Sequence, residues 1–109
     1  MKSLEGFRVI DLSHVIAGPT ASYYLAVQGA EVIKVERPIS GDSLRHGGKQ
    51  IDDGISEAFA AINAGKKSLA VDLHHPRMRE AVMELVAKAD VFIENFRAGA
   101  VVRLGLGYE

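Results

Sequence analysis

Short runs of apolar, β-branched residues alternate along this chain with longer stretches in which apolar residues recur every three or four positions. Arg8-Val9-Ile10-Asp11-Leu12 reads as a short buried strand. Gly18-Pro19 then offers a helix start, with glycine at the cap and proline at the first helical position. Ala21, Tyr24 and Leu25 follow at helical spacing, and Gly29 stands where a left-handed C-terminal cap is needed. Glu31-Val32-Ile33-Lys34-Val35-Glu36 predicts a second strand.

From Arg37 to about Ile55 the pattern breaks, and Pro38, Gly41, Gly47, Gly48 and Gly54 predict a long polar loop. Ser56 caps a predicted short helix that ends at Gly65, and Ser68 to Leu73 predicts a third strand. Pro76 opens the clearest helix, with Met78, Ala81, Val82, Leu85, Val86 and Ala89 on one stripe. Val91 to Glu94 predicts a fourth strand, and Ala98 to Leu104 a last short helix. Strands that alternate with helices predict an α/β fold: a Rossmann-like parallel sheet with flanking helices, over residues 1–109 as one domain.

Composition narrows the classes. Thirteen Lys+Arg stand against fourteen Asp+Glu, a balance that argues against nucleic acid as a partner. The absence of cysteine rules out disulfides, thiolate metal sites and a thiol nucleophile in these 109 residues. No apolar run reaches the length of a membrane span, and the start has no apolar signal-peptide core, so the expected location is cytoplasmic. The histidines His14, His46, His74 and His75 lack metal-ligand spacing, so no metal is expected.

In an open parallel sheet, ligands bind beyond the carboxyl ends of the strands. Four segments fall there: Ser13 to Gly18, Glu36-Arg37, Leu73-His74-His75, and Asn95-Phe96-Arg97. The first could present helix N-terminal amides to an anion or be a plain strand-to-helix turn. Glu36 could accept from a ribose, yet the glycine fingerprint of dinucleotide folds is missing. Arg37 next to it suits a phosphate, or is a solvated surface residue. Asp11 and Asp72 are expected to hydrogen-bond the loops that follow them. Lys66-Lys67 reads as a solvated turn. Asn95-Phe96 offers an amide and a ring for a purine, with core packing of Phe96 the equal alternative. On residue chemistry alone the reading reaches a possible nucleotide-like ligand at the strand tips, and no reaction.

Several blocks carry a family resemblance. Leu4-x-Gly6-x-Arg8-Val9-x-Asp11-Leu12-Ser13-His14-Val15-Ile16-Ala17-Gly18-Pro19, Gly29 to Glu36, Gly41-Asp42, Asn63-x-Gly65 to Leu73, Glu94-Asn95-Phe96-Arg97-x-Gly99 and Arg103 to Tyr108 resemble, in order, the N-terminal part of class III CoA-transferases, the CaiB/BaiF family. The resemblance implies transfer of coenzyme A between carboxylic acids through an aspartyl-CoA thioester, with an acyl-CoA and a carboxylic acid as partners. It implies that the nucleotide end of coenzyme A meets Ile16, Ala17, Arg37, Val71, Asp72, Leu73, His74, Asn95, Phe96, Arg97 and Arg103. It also implies an interlocked homodimer, and a reacting aspartate that matches none of the aspartates here. Ile16 stands where formyl-CoA transferases often carry glutamine, and Ala98 where proline usually follows. The alternatives are an isomerase resembling α-methylacyl-CoA racemases, which share this N-terminal pattern, and a non-catalytic nucleotide-binding module.

Overall fold

The computed structural model of the chain describes residues 1–108. Four parallel strands form the central sheet: β1 (Arg8–Asp11), β2 (Glu31–Glu36), β5 (Lys67–Ala70) and β6 (Val91–Ile93), in the order β5-β2-β1-β6. Strand β1 lies between β2 and β6, pairing Ile10 with Ile33 on one side and with Phe92 on the other. Alternate residues of β1 face opposite sides, so Ile10 enters one core and Val9 the other. Helix α1 (Ala17–Val27) supplies Leu25 and Ala26 to the Val9–Ala30–Val32 face. Helices α3 (Pro76–Ala87) and α4 (Ala100–Arg103) supply Val82 and Val101 to the face built on Ile10, Leu12 and Val35. Burial on both faces explains why the central strands β1 and β2 read as nearly continuous apolar runs. The expected α/β architecture with flanking helices is present.

The predicted polar loop contains structure of its own. A 3-10 turn spans Ser43–His46, and a small antiparallel hairpin joins β3 (Gln50–Asp52) to β4 (Ile55–Ser56). Strands this short, with Gln50, Ile51 and Asp52 all exposed, leave no alternation to read. Ser56 does cap α2 (Glu57–Asn63), its Oγ accepting from Phe59 N at 3.0 Å.

Strands β1 and β6 each end one residue earlier than expected, at Asp11 and Ile93, and larger differences fall at α1, β5 and α4. Helix α1 starts at Ala17 with Ile16 as its cap, so Pro19 sits inside the first turn; proline is tolerated there because those amides lack helical partners anyway. Strand β5 ends at Ala70, and the chain turns away once Val71 N has donated to Glu36 O at 2.9 Å. Helix α4 begins only after Gly99, whose left-handed φ of 83° breaks the backbone ahead of it. On α3, Met78 stays 41% exposed, so only the stripe from Val82 onward is core.

Candidate functional site

The strand order reverses at β1. The chain runs outward from β1 through β2 to β5, then returns to place β6 on the other side. Ligands in open α/β sheets occupy the crevice at such a reversal. Here the segments leaving β1 and β6 border an open cavity of 610 Å³. Ile16, Ala17, Asn95, Phe96, Arg97 and Arg103 line it, with His14, Val15 and Ala100. A second cavity, of 460 Å³, lies over the tips of β2 and β5. Arg37, Val71, Asp72, Leu73, His74 and Phe96 line it, with His14, Val35, Glu36 and Leu104. Every residue that the family resemblance assigns to the nucleotide end of coenzyme A therefore borders one of two adjoining cavities, whereas Ser13, Gly18 and His75 of the strand-tip segments line neither. The boundary between them is a stacked pair, His14 on Phe96, with ring centroids 5.2 Å apart and planes 22° apart.

The wall between β1 and α1 is held by side chains from distant segments. Asn95 Oδ1 accepts from His14 N at 2.9 Å, and Asn95 Nδ2 donates to His14 O at 2.8 Å. The Asn95 amide, expected to face a base, is thus engaged on backbone. Gly18 leaves room for no ligand either, because a Cβ there would collide with the side chain of buried Ser13. Val15, a β-branched residue, holds a left-handed φ of 69°. Its N–H lies 3.2 Å from both carboxylate oxygens of Asp42.

Two buried ion pairs lie beneath this rim. Lys34 Nζ stands 3.0 Å from Asp42 Oδ2 and donates to Ser13 O at 2.9 Å. Lys66 Nζ stands 3.3 Å from Asp11 Oδ2 and also reaches Pro19 O and Asn63 Oδ1. The Lys66 side chain is only 2% exposed and exposed Lys67 opens strand β5, so the solvated turn expected at Lys66-Lys67 does not hold. Burial in a polar nest, with three oxygens about Nζ, keeps Lys66 inside. Burial pushes the Asp11 carboxyl up, but hydrogen bonds from Ser13 and Ser22 and the charge of Lys66 outweigh it, and its pKa is lowered. Asp11 thus holds the loop after it, as expected; exposed Asp72 likewise accepts from His74 N at 2.9 Å.

Glu36 is not available to a ribose. Its carboxylate takes two hydrogen bonds from Arg45, at 2.8 and 2.7 Å, and one from Asp42 N at 2.7 Å. Arg45 in turn lies over the Phe59 ring, 3.9 Å from its centroid. Arg37, Arg97 and Arg103 are exposed at the cavities, and none is ion-paired among the described residues. They leave cationic donors beside apolar walls from Ile16, Phe96, Leu73 and Leu104. Such a site suits a ligand that carries phosphate at one end and apolar or aromatic surface elsewhere.

Sequence reasoning placed His14 and Val15 in the strand-tip segment Ser13 to Gly18 without giving either a role, and it missed Lys34 and Asp42 as parts of the site. Lys34 gave a signal: a lysine inside a buried apolar strand has to find a partner. His14 burial lowers its pKa, with Asp42 opposing and Lys34 and Arg37 reinforcing the shift. Among the described residues no group of three or more His, Cys, Asp or Glu side chains could hold a metal ion.

An α/β chain with its cavity at the strand reversal defines a class; comparison with known proteins defines the family. The family model described as CoA-transferase family III matches residues 4–109, and the chain belongs to that family. It is 49% identical over 109 residues to succinyl-CoA:glutarate CoA-transferase of Mus musculus, covering 100% of this chain and 25% of that protein. It is 45% identical over 113 residues to succinyl-CoA:mesaconate CoA-transferase of Haloarcula hispanica, covering 100% of this chain and 28% of that protein. Among solved structures, a CaiB/BaiF family protein from Brucella suis superposes with a TM-score of 0.91 at 40% identity, over 98% of this chain and 29% of that one. A hypothetical protein of Mycobacterium tuberculosis superposes with a TM-score of 0.87 at 42% identity, over 99% and 28%. The chain thus spans about a quarter of the length of the curated relatives it matches.

Proposed function

We propose that this chain supplies the coenzyme A nucleotide-binding part of an acyl-CoA:carboxylate CoA-transferase. The observation that carries the reading is the convergence of all four strand-tip segments on two cavities that share the His14–Phe96 pair. Arg37 on one side, and Arg97 and Arg103 on the other, supply cations for the phosphates. Phe96 and the apolar rim supply surface for the base. The engagement of Glu36 by Arg45 supports coenzyme A over a dinucleotide, since no acid is left at the tip of β2 to take a ribose.

In this reading the reaction passes through an aspartyl-CoA thioester whose aspartate lies outside these residues. The carboxylates of Asp11 and Asp42 are saturated by internal partners, Asp90 accepts from Arg8 N, no aspartate lines the larger cavity, and Asp72, which lines the smaller one, accepts from His74 N. The 109-residue chain alone is then inactive as a transferase but binds the carrier. The working form is a homodimer in the cytoplasm.

Calorimetric titration of the chain with coenzyme A, acetyl-CoA and NAD tests this. Binding of the first two in preference to NAD is expected, and Arg37→Ala weakens it. A preference for NAD would overturn the reading.

A further inference from the structure

Each of three consecutive residues, buried Ser13 and then His14 and Val15 on the wall of the larger cavity, is held by a side chain from elsewhere in the fold. Lys34 holds Ser13 O, Asn95 holds both backbone groups of His14, and Asp42 holds Val15 N. Only Val15 among them has a backbone that its residue type resists, with φ at 69°. Such a conformation persists where the surroundings over-determine it.

Asp42 is built to do so. It is fully buried, pairs with Lys34 at 3.0 Å, and accepts from Leu44 N at 3.0 Å. Its own N–H is fixed by Glu36 Oε2 at 2.7 Å, at the tip of β2. Gly41 just before it takes a φ of 63°, and a Cβ there would meet Glu36 Oε2 at 2.6 Å, so the approach needs glycine. A rigid chain of contacts thus runs from Arg45 and Glu36 through Asp42 to Val15, and so to Ile16 and Ala17 on the cavity wall.

We infer that Asp42 is a positioning residue for ligand binding: it locks Val15 in the left-handed turn that presents residues 16 and 17 to the cavity. The inference rests on the coenzyme A reading above. Without the lock, Val15 relaxes to negative φ and the wall is redirected.

Removing Asp42 alone strands a buried Lys34, so the test removes both charges in Lys34→Met/Asp42→Ala. This pair is expected to lose about tenfold in affinity for coenzyme A, the factor that corresponds to roughly 1.4 kcal/mol. Adding Val15→Gly is expected to restore binding to within about threefold, because glycine reaches positive φ unaided. A purely structural Asp42 gives no such rescue, and a folded triple variant without rescue overturns the inference. Should the pair fail to fold, Asp42→Glu keeps the buried charge while moving it by one methylene, and the same loss and the same rescue are required of it. If the unaltered chain takes up neither coenzyme A nor acetyl-CoA, the ligand reading fails by itself. The positioning role is then judged from the Val15 amide–Hα coupling and Cα shift. These must leave the positive-φ range in the Asp42 variants, and an unchanged φ overturns the role.

Discussion

Asn95 and His14 hold one another through two hydrogen bonds, N–H to Oδ1 at 2.9 Å and Nδ2–H to carbonyl at 2.8 Å, although the first follows β6 and the second follows β1. The amide matches a backbone donor and acceptor at once, as no carboxylate or aliphatic group does. Asn95→Ala is expected to cost about 1–2 kcal/mol in chemical denaturation. Asn95→Asp keeps the acceptor but sets an oxygen against the His14 carbonyl. It should therefore be the worse substitution at neutral pH, with the gap to alanine narrowing as the carboxylate protonates. Equal stability of the two variants at pH 7 would count against the geometry.

Gly18 is demanded by Ser13, whose side chain fills the place of a Cβ. Gly18→Ala is expected to destabilise by roughly 1–3 kcal/mol, the usual range for overpacking a closed site. Ser13→Gly in the same chain should return part of that loss, which a double-mutant cycle of melting curves measures. Additive effects would show that the two side chains do not compete for the same space.

Lys66 and Asp11 form a buried pair in which each satisfies the other. Lys66→Met leaves a buried carboxylate facing only hydroxyls and amide, and about 3 kcal/mol should be lost in urea unfolding. The double variant Lys66→Met/Asp11→Asn should be more stable than the sum of its single changes predicts. Strict additivity would speak against a direct interaction.

Stability should fall with acid along two limbs. Burial raises the carboxyls of Asp11, Glu36 and Asp42, yet their hydrogen bonds and neighbouring cations win, and each pKa is lowered from 3.8, 4.5 and 3.8 respectively. Their stabilisation is full above those unfolded values and is lost as pH falls through the lower folded ones. His14 is lowered from 6.5 chiefly by burial, so the unfolded state binds its proton first. Stability therefore begins to decline gently below 6.5, before the steep carboxylate stage. Urea midpoints measured against pH should show both limbs, and His14→Gln should flatten the gentle one alone. A gentle limb that survives in His14→Gln would assign it to another group.

The two central strands were legible because they are largely buried and mostly apolar, as Val9-Ile10 and Val32-Ile33 illustrate, whereas edge strand β5 is largely exposed. The tips of these strands were legible because position at a strand end is a matter of order along the chain. What lay beyond reading was side-chain partnership across long separations. Nothing local marks that Asn95 turns to His14, or that Asp42 reaches Val15. Lys66 looked like a surface residue beside Lys67 because only the folded chain brings Asp11, Pro19 and Asn63 around it. The hairpin Gln50–Ser56 escaped for the opposite reason: it buries too little to impose a pattern.

The larger cavity is walled by residues 14–17 on one side and 95–103 on the other, and these are held together just beyond the β1–β6 pairing by the bonds between Asn95 and His14. As the polypeptide leaves the ribosome, β1 can take β2 early but must wait with its other side bare until Val91–Ile93 emerge. Closing so long a loop is the slow, entropically costly event in assembly. On the proposed reading, ligand recognition is expected among the last properties this chain acquires, and local release of β6 is expected to abolish it. Slow amide exchange in β1–β2 paired with faster exchange in β6 would display that order directly.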